Sequence, residues 1–464
     1  MRAPITLLSD EALARLDERL PAVPLDASGT PVPGDLEADT DSRGRYRTPS
    51  QRDRDRILYC SALQRLGGVT QVTGSESGHT FHTRLTHSLK VAQVARRLAE
   101  KLLRDTDATG PRAARALREL DPDAAEAAGL AHDLGHPPFG HVAEEILRDT
   151  TSASFEGNPQ TFRIVTNLAV RTMDSPGLML TRRTLNGILK YPWLREIEGS
   201  DKKKNKWGAY EPDKGAFAWV RRDSQPDERS LTARIMDWAD DVTYAVHDLQ
   251  DFYQAGLVPL HLLCGRGTAG GHRSKELEHF AEGLRAAGRN DIDKRIAALE
   301  DVLEFAGIDE AYEGRDDQRA DLRGMASNLI TQYLEAFKLE EGSIPGRAQI
   351  VIDEELEAQV DVLKDLTWVY VVMRPSLAVM QEGRREVIRK LCAWYENATK
   401  SDGERRLLPP AYQKRLDSAL TPEARSRLVN DLVSGLTEDT ALALFRRMSG
   451  VDPGSVIDAT ARPR

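Results

Sequence analysis

Residues 130–141 read LAHDLGHPPFGH, and no other stretch confines the fold of this chain so tightly. The apolar residues before His132 read as the end of a buried helix. Gly135, Pro137 and Pro138 stop it, because Gly admits left-handed backbone and a Pro pair cannot continue a helix. His132 and Asp133 are therefore expected on the last helical turn, where a neutral imidazole and a carboxylate can face one cation. His141 opens the next helix, and Glu144, three residues on, shares its face and can orient the imidazole. In the bland alternative, His136 and His141 merely cap the turn and Glu144 is a solvated surface charge. The arrangement taken together is that of a metal-assisted hydrolase.

Two further stretches carry chemistry. The sequence HTRLTHS at 82–88 runs into Leu89, Val91, Ala92, Val94, Ala95 and Leu98, an apolar stripe of helical period that places His87 near the start of a long buried helix. Alone, a histidine there reads more readily as a core or capping residue than as a ligand. Arg84, three residues earlier, puts a cation beside it, a poor arrangement unless an anion such as phosphate is also bound. Residues 231–252 form the second informative helix, with Asp237, Asp240, Asp241, Tyr244 and Asp248 set among Trp238, Ala239, Val242, Ala245 and Val246. Steps of four residues keep Asp240, Tyr244 and Asp248 on one face, whereas Asp241 turns roughly 100° away. Asp240 is thus the expected ligand. His87, His132, Asp133 and Asp240 make a mixed nitrogen and oxygen set in a helix bundle, suited to an octahedral ion with open positions.

The remaining sequence reads as mostly helical. A short amphipathic helix is expected in residues 1–20, a Pro- and Gly-rich arm up to residue 50, and a helix in 54–66. Residues 69–72 have β-branched, strand-like character and lead through Gly74 and Gly78 into a polar turn. Residues 102–126 read as exposed helix and linker. Helices are expected at 180–189, 276–287, 294–305, 323–337, 354–372 and 422–448, with loops at 265–271, 313–318 and 399–404. The expected organisation is an N-terminal arm at 1–50, a catalytic helical domain at 51–255 and a helical region at 256–464.

A length of 464 residues allows a sizeable core without disulfides, and Cys60, Cys264 and Cys392 show no paired spacing, which suits a reducing compartment. Neither a signal peptide nor an apolar run of spanning length is evident, so a soluble, cytoplasmic protein without membrane contact is expected. The net charge of −9 offers no global basic field for nucleic acid. A local cluster, Lys202, Lys203, Lys204 and Lys206, reads as a solvated loop or as a contact for phosphate or single-stranded DNA.

The spacing of His87, the His132 and Asp133 pair, and a later Asp resembles the HD-domain phosphohydrolases. The longer strings QRDRDR at 51–56, TRLTHS at 83–88, HDLGHPPFGH at 132–141, FEGN at 155–158, ADDVTY at 239–244 and DLVSGLTEDTAL at 431–442 are similar to the bacterial dGTP triphosphohydrolase branch. The resemblance runs from about residue 51 to about residue 450. It implies an all-α HD-domain bundle with a helical C-terminal extension, and hydrolysis of a deoxynucleoside triphosphate (dNTP), dGTP first among them, to the deoxynucleoside and inorganic triphosphate. By that resemblance His87, His132, Asp133 and Asp240 hold a divalent ion, with Mn²⁺ or Mg²⁺ the leading candidates and Fe²⁺, Ni²⁺ or Co²⁺ also admitted. His141, oriented by Glu144, is the general acid. Arg84 and His136 contact phosphates, and Tyr244, Asp248 and Gln71 face the sugar. A homo-oligomer is implied, and a regulatory dNTP or single-stranded DNA is a further partner to consider. The competing readings are a 5′-deoxynucleotidase or guanosine tetraphosphate hydrolase of the same metal set, and a regulatory nucleotide- or single-stranded-DNA-binding protein.

Overall fold

The computed structural model describes residues 1–21, 25–31, 46–71, 82–105, 110–172, 175–196, 198, 200–265 and 272–452. Val72, the turn through Gly74 and Gly78, the loop at 266–271 and most of the arm expected at 21–50 lie outside the described residues. The fold is overwhelmingly helical. The helices that position the site are α1 (Pro49–Leu58), α2 (Arg84–Arg104), α3 (Pro122–Ala131), α4 (His141–Thr150), α5 (Gly157–Arg163), α6 (Arg182–Ile188) and α7 (Leu231–Gln254). The C-terminal half adds α8 (Asp316–Ala336), α9 (Glu354–Thr367), α10 (Pro375–Ala398), α11 (Pro422–Ser434) and α12 (Glu438–Met448). No helix among the described residues is long and apolar enough to cross a membrane.

Local chemistry sets these boundaries. Thr83 caps α2 by accepting from the Thr86 amide, and the buried stripe Val91, Val94, Ala95, Leu98 and Leu102 faces the core. Asp121 caps α3, with Pro122 in its first turn. The body of α3 is Ala and Gly, so α2 approaches it closely: a Cβ on Gly129 would stand 2.7 Å from Ala92 Cα. Ser230 caps α7 through the Ala233 amide, and the buried Glu119 carboxylate accepts from the Leu231 amide at 3.0 Å. Helix α7 then packs along α2, α3, α6, α8 and α9.

Several expectations are corrected. Residues 102–126 are not an exposed linker, because Ala113, Ala116, Leu117, Leu120, Ala124 and Ala125 are buried; small side chains give little amphipathic signal yet permit tight packing. The first residues do not form one helix. Strand β1 (Arg2–Thr6) precedes a short helix, and it pairs antiparallel with β3 (Arg347–Ile352), whose other edge pairs with β2 (Phe337–Glu341). The helix expected over 422–448 breaks between α11 and α12, where Thr437 caps α12 by accepting from the Thr440 amide. Helix α10, absent from the sequence reading, packs on α4. Phe139, Ala143, Ile146 and Leu147 share one core with Val387, Ile388, Leu391, Leu432 and Val433, so the C-terminal helices brace the element that carries His141.

Candidate metal centre

Helix α3 ends at Ala131, with His132 as its C-cap and Asp133 in the turn that follows, slightly past the expected last turn. Gly135 passes so close to α5 that a Cβ there would lie 2.1 Å from the Gly157 carbonyl oxygen. Its amide donates to Thr161 Oγ1 at 2.9 Å, and that hydroxyl donates to the His132 carbonyl at 3.1 Å. Arg65 clamps the same turn, donating to the Leu134 and His136 carbonyls at 2.8 Å each. Phe139 and Gly140 both take positive φ, which reverses the chain into α4. The Phe139 amide donates to Glu438 of α12, whose carboxylate also accepts from Thr70.

At the centre, His87 on α2, His132 and Asp133 bring their ligand atoms within 4.8 Å of one another. Asp240 on α7 joins them. Its Oδ1 lies 3.0 Å from His87 Nε2 and 3.5 Å from His132 Nε2, and His132 Nε2 lies 3.5 Å from Asp133 Oδ1. Neighbouring ligands of an ion bound at about 2.1 Å stand about 3 Å apart, so these separations fit a shared cation. The orientation fits too: His132 Nδ1 donates to the Gly129 carbonyl at 2.7 Å, which turns Nε2, buried and without a protein hydrogen-bond partner, toward the shared space. Asp241 points elsewhere and pairs with Lys364 at 3.0 Å.

The charges are arranged for a cation. Burial opposes ionisation of Asp133, but His136, His132 and Arg84 outweigh it and hold the carboxyl well below its ordinary range. Burial likewise opposes ionisation of Asp240, and Lys190 and His132 overcome it. Burial pushes the His87 imidazole down, against the pull of Asp240. For His132 burial also disfavours the charged ring, yet Asp133 and Asp240 win and raise it to about 9. A divalent cation replaces that proton's role between the two carboxylates.

A second group adjoins the first. His136 Nδ1 lies 3.1 Å from Asp133 Oδ1, and its Nε2 lies 3.5 Å from Glu144 Oε1. His141 is 74% exposed at its side chain, and its Nδ1 contacts Glu144 Oε2 at 3.1 Å. Burial works against the Glu144 charge, but His136 and His141 hold its carboxyl below the usual range. Gly157 leaves room for this carboxylate, since a Cβ there would come within 2.6 Å of Glu144 Oε1. Arg84 is buried and donates to Asp133 Oδ2 at 2.6 Å, so the cation near His87 is matched by a carboxylate. Burial, reinforced by Asp251, raises the Asp248 carboxyl well above its ordinary range, and its Oδ2 is buried without a hydrogen-bond partner. Gln71 makes no hydrogen bond with this cluster among the described residues, and its Oε1 is buried without a partner.

Lys190 escaped the sequence reading, and Lys206, read there as part of the lysine cluster, turns instead to a buried carboxylate. Lys190 bridges Asp237 at 2.8 Å and Asp240 at 3.3 Å, and Lys206 pairs with Glu156 at 2.7 Å. The closing aromatic turn after α6 brings Lys190 to Asp240, a contact without local sequence signal. The lysine cluster is largely neutralised, with Lys203 paired to Glu196 and Asp227.

Comparison with known proteins agrees with this geometry. The HD domain family matches residues 84–245, and the phosphohydrolase-associated domain matches residues 350–447. A deoxyguanosinetriphosphate triphosphohydrolase-like protein of Streptomyces coelicolor is 35% identical over 421 residues, covering 87% of this chain and 93% of the relative. The chain belongs to this HD-domain family. Relatives of the same description in Corynebacterium efficiens and Shewanella woodyi are 34% and 30% identical, covering 87% and 91% of this chain and 92% and 97% of their own. HD domains bind divalent metal ions, and the cluster around His132 is grouped to hold one.

Proposed function

We propose that this chain hydrolyses dNTPs, dGTP foremost, to the deoxynucleoside and inorganic triphosphate by water attack at the α-phosphorus. The observation that carries the reading is the adjacency of the two groups: Asp133 belongs to the metal cluster and also contacts His136, which leads through Glu144 to His141. A reaction centre set between them has cationic charge on one side and a proton donor on the other.

His87, His132, Asp133 and Asp240 hold the divalent ion, Mn²⁺ or Mg²⁺ in first place. When bound, that ion neutralises phosphate charge and lowers the pKa of coordinated water. Arg84 turns its guanidinium from Asp133 toward the triphosphate, and His136 donates to the same oxygens. As the water oxygen bonds to the α-phosphorus, the bond to the 5′ oxygen breaks, and His141 delivers its proton to that oxygen. Glu144 keeps the imidazole oriented through its contact with Nδ1. Asp248 and Tyr244 face the sugar, and the Tyr244 ring crowds the 2′ position and disfavours ribonucleotides.

Ion-exchange separation of products after incubating the Mn²⁺-loaded chain with each dNTP and with GTP tests this reading. Deoxynucleoside plus triphosphate, lost in His132→Ala, is expected. Monophosphate or diphosphate products overturn it.

A further inference from the structure

A cavity of ≈910 Å³ lies between residues 152–154, the segment that carries Trp207 and Tyr210, and helix α11. None of the residues assigned above to metal, phosphates or sugar lines it. Its walls are largely apolar, with Leu168, Leu194, Ala209, Ala419 and Leu428 beside the two aromatic rings. The volume falls within the range of pockets that enclose a small ligand.

The polar groups in those walls share one unmet need. Arg427 is only 7% exposed, and no ion pair of its side chain is found among the described residues. Its guanidinium lies 3.4 Å from the Tyr210 ring centroid, Nη2 donates to the Ser154 carbonyl at 2.6 Å, and Nη1 is buried without a partner. Trp207 Nε1 and Ser154 Oγ, on two other walls, are also buried without partners. Each can donate, and a buried donor left unmatched is destabilising until a ligand supplies an acceptor.

The cavity's charges lean the same way. Arg163 is saturated by Asp213 and Asp431, and Glu211 pairs with Lys214. Among the described residues Arg195 and Arg415 pair with no carboxylate; each donates to a backbone carbonyl and lies over an aromatic ring, Trp207 and Tyr412. Counting every charged side chain in the lining, Arg163, Arg195, Arg415 and Arg427 stand against Glu211, Glu423 and Asp431.

The geometry points to a binding site for an amphipathic monocarboxylate, its carboxylate on Arg427 Nη1 and its hydrocarbon body along the apolar walls. The stacked arginine is held in place before the ligand arrives, so little side-chain freedom is lost on binding. A bare inorganic anion leaves the apolar walls uncovered. An uncharged chain leaves the donors unmatched.

Calorimetric titration of the full chain with decanoate, decanol and inorganic phosphate tests the site. Decanoate is expected to bind at least tenfold more tightly than either of the others. Arg427→Met keeps the side-chain bulk and is expected to lower decanoate affinity at least tenfold with decanol unchanged. Ala424→Trp, which fills the cavity from a half-exposed position on α11, is expected to abolish decanoate binding while far-UV circular dichroism stays unchanged. Equal affinity for decanoate and decanol, tighter binding of phosphate than of decanoate, or decanoate affinity unmoved by both substitutions overturns the proposal.

Discussion

His132 concentrates the account at the scale of single residues, because both its nitrogens are committed: Nδ1 to the Gly129 carbonyl, Nε2 to the space it shares with Asp133 and Asp240. Replacing it with Ala removes a proposed metal ligand from beside Asp133 and Asp240. Hydrolysis is expected to fall roughly a thousandfold, and the thermal stabilisation by Mn²⁺ to vanish, as read by turnover and by melting with and without metal. Retained stabilisation by Mn²⁺ would locate the ion elsewhere. Gly157→Ala makes a complementary case. Its Cβ would press on Glu144 Oε1 and turn that carboxylate from His141, so kcat is expected to drop about a hundredfold with metal affinity kept. These residues were legible in the sequence because they crowd into a short motif with a Gly and a Pro pair that admit only one chain path. Lys190 was not, since its partner Asp240 lies 50 positions away and nothing local marks the pair. Gln71 had a sequence rationale, and the hydrogen bonds among described residues do not connect it to the cluster.

At the scale of elements, helix periodicity announced α2 and α7 because each carries a wide apolar stripe beside a few polar residues. Ala-rich α3 and the helix at 110–116 were harder, since small side chains mark burial weakly and the decisive contact is with another helix. The strands were missed for a related reason: β1 finds its partner near residue 350, and a five-residue strand has too little pattern to betray so distant a neighbour. Glu119 illustrates an element-level consequence. It lies buried against the first amide of α7, and burial pushes its carboxyl up to about 7, with the Leu231 amide and Arg183 only partly restoring the charge. The folded chain therefore holds this proton more tightly than the unfolded chain does. Its contribution favours the fold below the ordinary carboxylate pKa and is lost as pH rises toward 7, a swing of up to about 3 kcal/mol. Glu119→Gln is expected to be the more stable form at pH 8, by comparison with its parent, and to lose that advantage near pH 4.5. Equal denaturation midpoints at pH 8 would show that Glu119 ionises without cost.

Across the whole molecule, segments far apart in sequence are joined: β1 pairs with the strand at residues 347–352, and Glu438 reaches the turn before His141. Strand β1 is sealed into the C-terminal sheet by Ile5, which is 2% exposed. Ile5→Ala is expected to cost about 3 kcal/mol in chemical denaturation while leaving Mn²⁺ binding intact, because the sheet lies apart from the ligands. The C-terminal helices contribute more than mass: Glu438 holds the Phe139 amide, and α10 packs behind α4, so the loop that presents His141 depends on residues three hundred positions downstream. The match to the phosphohydrolase-associated domain, residues 350–447, covers that region. The measurement that bears most directly on the proposed reaction is hydrolysis of dGTP in H₂¹⁸O, followed by mass analysis of both products. Attack at the α-phosphorus puts one labelled oxygen in the triphosphate and none in deoxyguanosine. Label in phosphate or diphosphate, or a labelled nucleoside, would contradict the account.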